Sequence, residues 1–197
     1  MITVDLSTAS PVVLVIDMQV AFVSSDGAFG NDAGELIERL NPFLDRCREL
    51  GVPVIFSSYL LRGDLRDAGL LTGSDVAPHF ADTAPGAGVD PRIRRAESDV
   101  DARHNRPSAL FRSDLDALLD VLGVDTLILT GVSVNNAISS TARDAFARDL
   151  PALVVKDLVG ATPWEPEELY ESYFDTLATW TAEVADSSDV LARLQAR

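Results

Sequence analysis

From Pro11 to Ile16 the chain reads Pro-Val-Val-Leu-Val-Ile, with no polar side chain and four β-branched residues. A run this short and this uniformly apolar is a strand without a solvent-facing side, so something apolar must cover both of its faces. That requirement constrains the fold more than any other feature. The covering layers follow in the sequence. Leu36, Ile37, Leu40, Phe43, Leu44, Cys47 and Leu50 recur at three- and four-residue intervals, which predicts a helix over 33–50 that Gly51 ends. Residues 52–56 read as a second buried strand and 99–103 as a weaker third. A helix over 113–122 follows, with Ser113 as its N-cap. Beyond it the pattern predicts a strand at 125–130, a helix at 135–150, a strand at 152–156, a helix at 166–181, a short strand at 182–185 and a closing helix at 189–195. Residues 60–98 are rich in Gly, Pro, Asp and Arg and carry little periodicity. They read as a long excursion with at most one short helix, the kind of loop that commonly carries function.

Strand and helix alternating in this way predict an α/β fold, a three-layer α/β/α sandwich around a six-stranded, mostly parallel sheet. The 197 residues suffice for one large core, and the expectation is a single domain over 1–197. Ligands of such sheets sit beyond the carboxyl ends of the strands, where the strand order reverses. The residues that follow each strand are therefore the candidates for function.

The formal net charge of −15 repels phosphate backbones and anionic lipid surfaces, so neither nucleic acid nor a membrane is an expected partner. No apolar run approaches the length of a bilayer span. The N-terminus carries no basic, apolar leader and the lone Cys47 has no disulfide partner, which together predict a cytoplasmic protein. Lysine occurs once, at Lys156.

Three segments carry candidate chemistry. The first, Val15-Ile-Asp17-Met-Gln19, places a carboxylate at the end of an apolar strand, where a charge is costly unless it has a partner or a task. Read alone, Asp17 serves equally well as a cap for the following turn. The second runs from Asp99 through His104 to Leu115 and ends a strand on a histidine; a lone histidine is commonly a structural residue. The third, Gly131-Val-Ser-Val-Asn-Asn-Ala137 continuing to Thr141-Ala-Arg-Asp-Ala145, carries a strand through a turn into a helix, where backbone N–H groups can hold a developing oxyanion.

In order and spacing the three segments resemble the isochorismatase-like hydrolase superfamily, which includes nicotinamidases, N-carbamoylsarcosine amidases and isochorismatases. The family's Asp-Met-Gln pattern corresponds to Asp17, Met18 and Gln19. Its Ser-Ala-Phe segment corresponds to Ser108, Ala109 and Leu110, and its Thr-Ala-Arg-Asp-Ala run to residues 141–145. The resemblance implies that Asp17 moves a proton, that a cis peptide precedes Ser133, and that the N–H groups of Ser133 and of residue 137 form an oxyanion hole. It also implies a dimer or tetramer acting on a small molecule.

Two departures change the chemistry. The family's lysine position holds His104, and its nucleophilic cysteine position holds Ala137. A methyl group cannot attack a carbonyl, and neither Cys47 nor Lys156 lies where it can substitute, so a thioester mechanism is excluded. Asp17 and His104 remain as a pair able to pass one proton near neutral pH. Two readings follow: a hydrolase or lyase working by non-covalent acid–base catalysis, or a catalytically silent relative that binds a small ligand or a protein partner. For substrate contacts the expectations are Phe22, Tyr59, Arg62 or Arg66, and Trp164, each of which has an ordinary core or surface reading as well. No cofactor and no metal is expected, since His79 lies in the excursion and leaves His104 the only histidine near the site.

Overall fold

The computed structural model describes residues 2–163 and 166–197. Six parallel strands form one sheet in the order β3-β2-β1-β4-β5-β6. They are β1 (Pro11–Ile16), β2 (Val54–Tyr59), β3 (Val100–His104), β4 (Thr126–Val132), β5 (Ala152–Gly160) and β6 (Glu183–Ala185). The helices are a single turn α1 (Val20–Val23), α2 (Gly34–Glu49), α3 (Leu115–Leu122), α4 (Ser139–Phe146), α5 (Tyr170–Trp180) and α6 (Ser187–Gln195). Every residue of β1 is buried, as its uninterrupted apolar sequence requires. Val13 and Val15 pack on one face against Leu36, Leu40 and Leu44 of α2 and Val190 and Leu194 of α6. Val12, Leu14 and Ile16 pack on the other against Leu115 and Leu119 of α3, Ala142 and Ala145 of α4, and Phe174 and Leu177 of α5. The period-two alternation of a central strand thus separates two apolar cores on either side of the sheet. Among the described residues no helix is long and apolar enough to cross a membrane.

The sequence reading differs from the structure at three places. The strand expected at 152–156 continues to Gly160. The polar pair Lys156 and Asp157, which reads as a strand end, falls in an irregularity where Leu129 pairs with Val154 but Gly131 pairs with Val159. The bulge turns both side chains outward, Lys156 to Glu171 at 2.6 Å and Asp157 to the N–H of Ser187 at 2.7 Å. The helix expected over 135–150 begins instead as a wide turn, Val134–Ile138, in which the Ile138 N–H reaches back to the Ser133 carbonyl at 3.1 Å, and its regular part ends at Phe146. Ser113 accepts the N–H of Leu115 at 3.3 Å, but its own hydroxyl donates to the Ala109 carbonyl at 2.6 Å. It ties the approach to α3 rather than forming a strong cap.

Strands 1 and 4 lie side by side, with Ile16 opposite Gly131. Strand order reverses between them, since β2 and β3 lie to one side and β5 and β6 to the other. The crevice that this topology opens at the carboxyl ends is the place where doubly wound sheets hold ligands. The 60–98 excursion folds over that end through two short 3₁₀ turns, Gly69–Leu71 and Ala77–Phe80. It is pinned by bonds from the Val20 and Ala21 N–H groups to the Gly88 and Gly86 carbonyls, both at 3.0 Å.

Cys47 lies remote from that crevice, fully buried on the sheet-facing side of α2. Burial pushes its thiol up to about 12, so the thiolate fraction at pH 8 is on the order of 10⁻⁴. Iodoacetamide or a disulfide reagent should leave the native protein unlabelled over hours and label it stoichiometrically in denaturant, as intact-mass measurement would show. Rapid native labelling would place the thiol elsewhere.

Candidate active site

Asp17 is the first residue beyond β1. Its backbone is in the left-handed region at φ 55°, a conformation uncommon for a non-glycine residue and one that concentrates at functional sites. Its N–H is held by the Ser57 carbonyl at 2.9 Å. The carboxylate is buried, at 5% exposure, and Oδ1 accepts the Tyr59 N–H at 2.9 Å. Behind it stands His104, at the end of β3, whose Nε2 lies 3.3 Å from Asp17 Oδ1. The contact is close, but its angles are not those of a hydrogen bond, and Nε2 is a buried atom with no hydrogen-bond partner among the described residues. The other ring nitrogen, Nδ1, lies 2.8 Å from the Ser57 hydroxyl. When that hydroxyl donates, Nε2 carries the ring proton and presents it to the carboxylate. When it accepts, Nε2 presents a lone pair to which a protonated Asp17 can donate. The Ser57 hydroxyl is therefore compatible with either tautomer of the His104 ring.

The register explains how these groups meet. Ser57 pairs with Ile16 and Tyr59 with His104, so β2 and β3 end level with one another and β2 runs two residues beyond its last pairing with β1. Gln19 closes the frame: Oε1 accepts the same Tyr59 N–H at 2.8 Å, while Nε2 donates to the Tyr59 and Ala87 carbonyls at 3.2 and 2.9 Å. Sequence reading placed Gln19 in a motif without a task; its task is to fasten the excursion to the end of β2. On the opposite flank Gly131 sits at φ +111°, and a Cβ there would come within 2.1 Å of the Ile16 carbonyl oxygen. Only glycine lets β4 approach β1 so closely beside Asp17.

A cavity of about 570 Å³ opens in front of the carboxylate, lined by Asp17, Phe22, Phe29, Tyr59, Phe80, Arg106, Ser133, Asn136 and Ala137, among others. Its aromatic wall is continuous. Phe22 stacks on Phe29 and Phe80 at 5.3 and 5.6 Å, Phe80 meets Tyr59 at 4.9 Å, and Tyr59 meets the His104 ring edge-on at 5.6 Å. Burial pushes the Tyr59 phenol up; nearby Arg106 draws it down, and the carboxylates of Asp17 and Asp67 push it further up. The peptide between Val132 and Ser133 is cis.

Among the residues singled out from sequence, Asp17, Phe22, Tyr59, Ser133 and Ala137 all line this cavity. His104 does not; it stands behind Asp17 with its side chain at 0% exposure and reaches the cavity only through that carboxylate. Arg62 faces solvent, bound by its own Nε and Nη2 to Asp64 at 3.0 and 2.9 Å, and Arg66 is likewise exposed beside Asp64. The cavity's arginine is instead Arg106, two residues past His104 in the segment already marked. Trp164 lies outside the described residues. Two other motif segments prove to bind one another. The Ser108 hydroxyl donates to Asp144 at 2.8 Å, and the Ala109 N–H to the Thr141 hydroxyl at 3.0 Å.

Residues 11–189 match the model of the isochorismatase domain, and the chain belongs to that family. It is 28% identical over 162 residues to the N-carbamoylsarcosine amidase of an Arthrobacter species, covering 76% of this chain and 59% of the amidase. It is 27% identical over 167 residues to the isochorismatase of Bacillus subtilis, covering 82% of this chain and 52% of that protein. The chain thus spans little more than half the length of these relatives. The solved structure of a cysteine hydrolase from Pseudomonas syringae shares the fold, with a TM-score of 0.88 at 23% identity over 98% of this chain and 95% of the other.

Two substitutions test the frame. Ser57→Ala removes the partner of His104 Nδ1 and should lower stability by about 1–3 kcal/mol, the cost of a buried polar atom left unpaired. Gly131→Ala should cost about 3 kcal/mol or more, because backbone must move to admit the methyl group. Denaturant midpoints measure both, and a Gly131→Ala protein as stable as the parent would refute the close approach of β4 to β1.

Proposed function

We propose that this isochorismatase-family protein hydrolyses or cleaves a small molecule by non-covalent acid–base catalysis, with Asp17 as the group that gives and takes the proton. The observation that carries this reading is a buried carboxylate facing an apolar cavity with a second proton-bearing group 3.3 Å behind it. At the family's nucleophile position stands Ala137, which offers no lone pair. The protonated Asp17 carboxyl hands its proton to the substrate's leaving group or vinyl carbon. Water then adds to the electron-poor carbon left behind, and the proton that water releases returns to the Asp17 carboxylate. One water is consumed and the enzyme is regenerated. The backbone N–H groups of Ser133 and Ala137 are the proposed donors to oxygen that gains charge, a role that needs no particular side chain. His104 acts through Asp17, supplying the countercharge in one protonation state and the lone pair in the other. The working protein is proposed to be a homo-oligomer.

The second reading, a silent member that binds a ligand, is favoured by Ala137 and by the seclusion of His104 from the cavity. Turnover on amide, ester and vinyl-ether panels separates the two. With a substrate found, Asp17→Asn should lower kcat by about 10²–10⁴-fold, the usual worth of general acid–base catalysis. The parent should show a bell-shaped pH–rate profile belonging to the pair as a whole. His104→Lys replaces an imidazole with the ammonium found at that position in the family, and should lose one limb of the bell while keeping measurable activity. An Asp17→Asn protein as active as the parent would end the acid–base reading.

A further inference from the structure

We propose that the cavity takes a monocarboxylate with an apolar or aromatic body, its carboxylate seated on the Nε–Nη2 edge of Arg106 and its body against Phe22, Phe29, Tyr59 and Phe80. This deepens the function proposed above by naming a substrate class for the same cavity. Among the described residues, Asp17 and Arg106 are the only charged ones in the lining. Arg106 is half-buried and has no carboxylate within ion-pairing distance among the described residues. Its Nη1 is fully occupied, donating to the Asp67 carbonyl at 3.0 Å and to the Asn105 carbonyl. Those bonds fix the plane of the guanidinium and leave Nε and Nη2 without a hydrogen-bonding partner among the described residues.

The same chain shows what that edge ordinarily holds. Arg48 presents Nε and Nη2 to Asp99 at 3.0 and 2.8 Å, Arg62 presents them to Asp64 at 3.0 and 2.9 Å, and Arg92 to Asp90 at 3.0 Å for both. In each case the two parallel N–H groups grip one carboxylate, the fork geometry that makes arginine selective for planar anions. Arg106 has the same edge, its guanidinium held through Nη1, with no carboxylate of the described residues upon it. Gly69 packs beside the guanidinium at φ +59°, and a Cβ there would come within 2.8 Å of Arg106 Nη2, so any side chain at that position would crowd it. In a chain of net charge −15, an anion gains nothing from the overall field, so a local fork of this kind is what an anionic ligand needs. The aromatic wall supplies the rest of the contact by burying apolar surface.

Benzoate and benzamide, equal in shape and different in charge, test the proposal by titration of the purified full chain, followed by NMR or calorimetry. Benzoate should bind at least about 10-fold more tightly than benzamide, the scale of a charge-assisted bidentate contact. Arg106→Gln should abolish that preference by weakening benzoate far more than benzamide, and Arg106→Lys should recover only part of it. Gly69→Ala, which crowds the guanidinium without removing it, should weaken benzoate alone. If Arg106→Gln does not fold, the lysine and Gly69→Ala variants carry the test. Equal affinity for the two probes, a benzoate preference that survives Arg106→Gln, or no binding of either at about 10 mM would overturn the proposal. Because binding is read without turnover, a cavity that prefers benzoate yet converts no substrate defeats the catalytic reading alone, and a catalyst with no carboxylate preference defeats this one alone.

Discussion

A carboxylate buried at the end of a central strand is unfavourable unless the surrounding backbone supplies donors and a counter-group, and much of this molecule is arranged around meeting that demand at Asp17. The Tyr59 N–H reaches its oxygen because β2 runs two residues beyond its last pairing with β1. His104 reaches it only because β3 ends level with β2. Gly131 is required on the other side because the space that a side chain would fill is already taken by the Ile16 backbone. The parallel sheet is thus more than a scaffold: its common strand direction brings the ends of four strands to one crevice. An antiparallel neighbour would have sent one of these residues to the opposite end.

What could be read from the sequence follows from the same logic. The apolar continuity of β1 implied cover on both faces and hence a parallel sheet, and a charged residue directly after such a run marked itself. Partner choice was not readable in this way. Arg62 and Arg106 both sit in polar, turn-rich sequence. What separates them is that Asp64 is two residues from Arg62 and captures it, whereas Arg106 is held by carbonyls from Asp67 and Asn105. The extent of β5 was hidden for a related reason: Lys156 and Asp157 look like a strand end, and only the bulge, a long-range property of pairing with β4, turns them outward. Likewise the wide turn at Val134–Ile138 breaks a helical pattern whose periodicity gives no sign of it.

Histidine in place of the family's lysine alters more than geometry. A lysine beside a buried carboxylate is a strongly hydrated point charge, and its burial is tolerable only while the carboxylate stays ionised. An imidazole can face the same oxygen either charged or neutral, and here the Ser57 hydroxyl can donate to or accept from the far nitrogen as needed. The pair therefore tolerates a protonated Asp17, a state that a fixed ammonium would disfavour. That tolerance suits the proposed mechanism, whose cycle begins with a proton to give, whereas a covalent mechanism demands the opposite, a carboxylate ready to receive.

The motifs that mark the family divide along the same line. Ser108 with Asp144, and Thr141 with the Ala109 N–H, join the β3–α3 connection to α4; they hold the wall of the cavity whatever reaction takes place in it. Gln19 does the same for the excursion. These contacts are local, satisfied and independent of the group at residue 137, so exchanging cysteine for alanine leaves the architecture without a new debt of unpaired polar atoms. The positions proposed to decide chemistry differ: residues 17 and 137 line the cavity, and residue 104 stands against residue 17. A fold held by one set of residues and a reaction set by another can change the second while keeping the first, and the acid–base mechanism proposed above is such a case: the family's frame is kept while the proposed chemistry rests on Asp17 and His104.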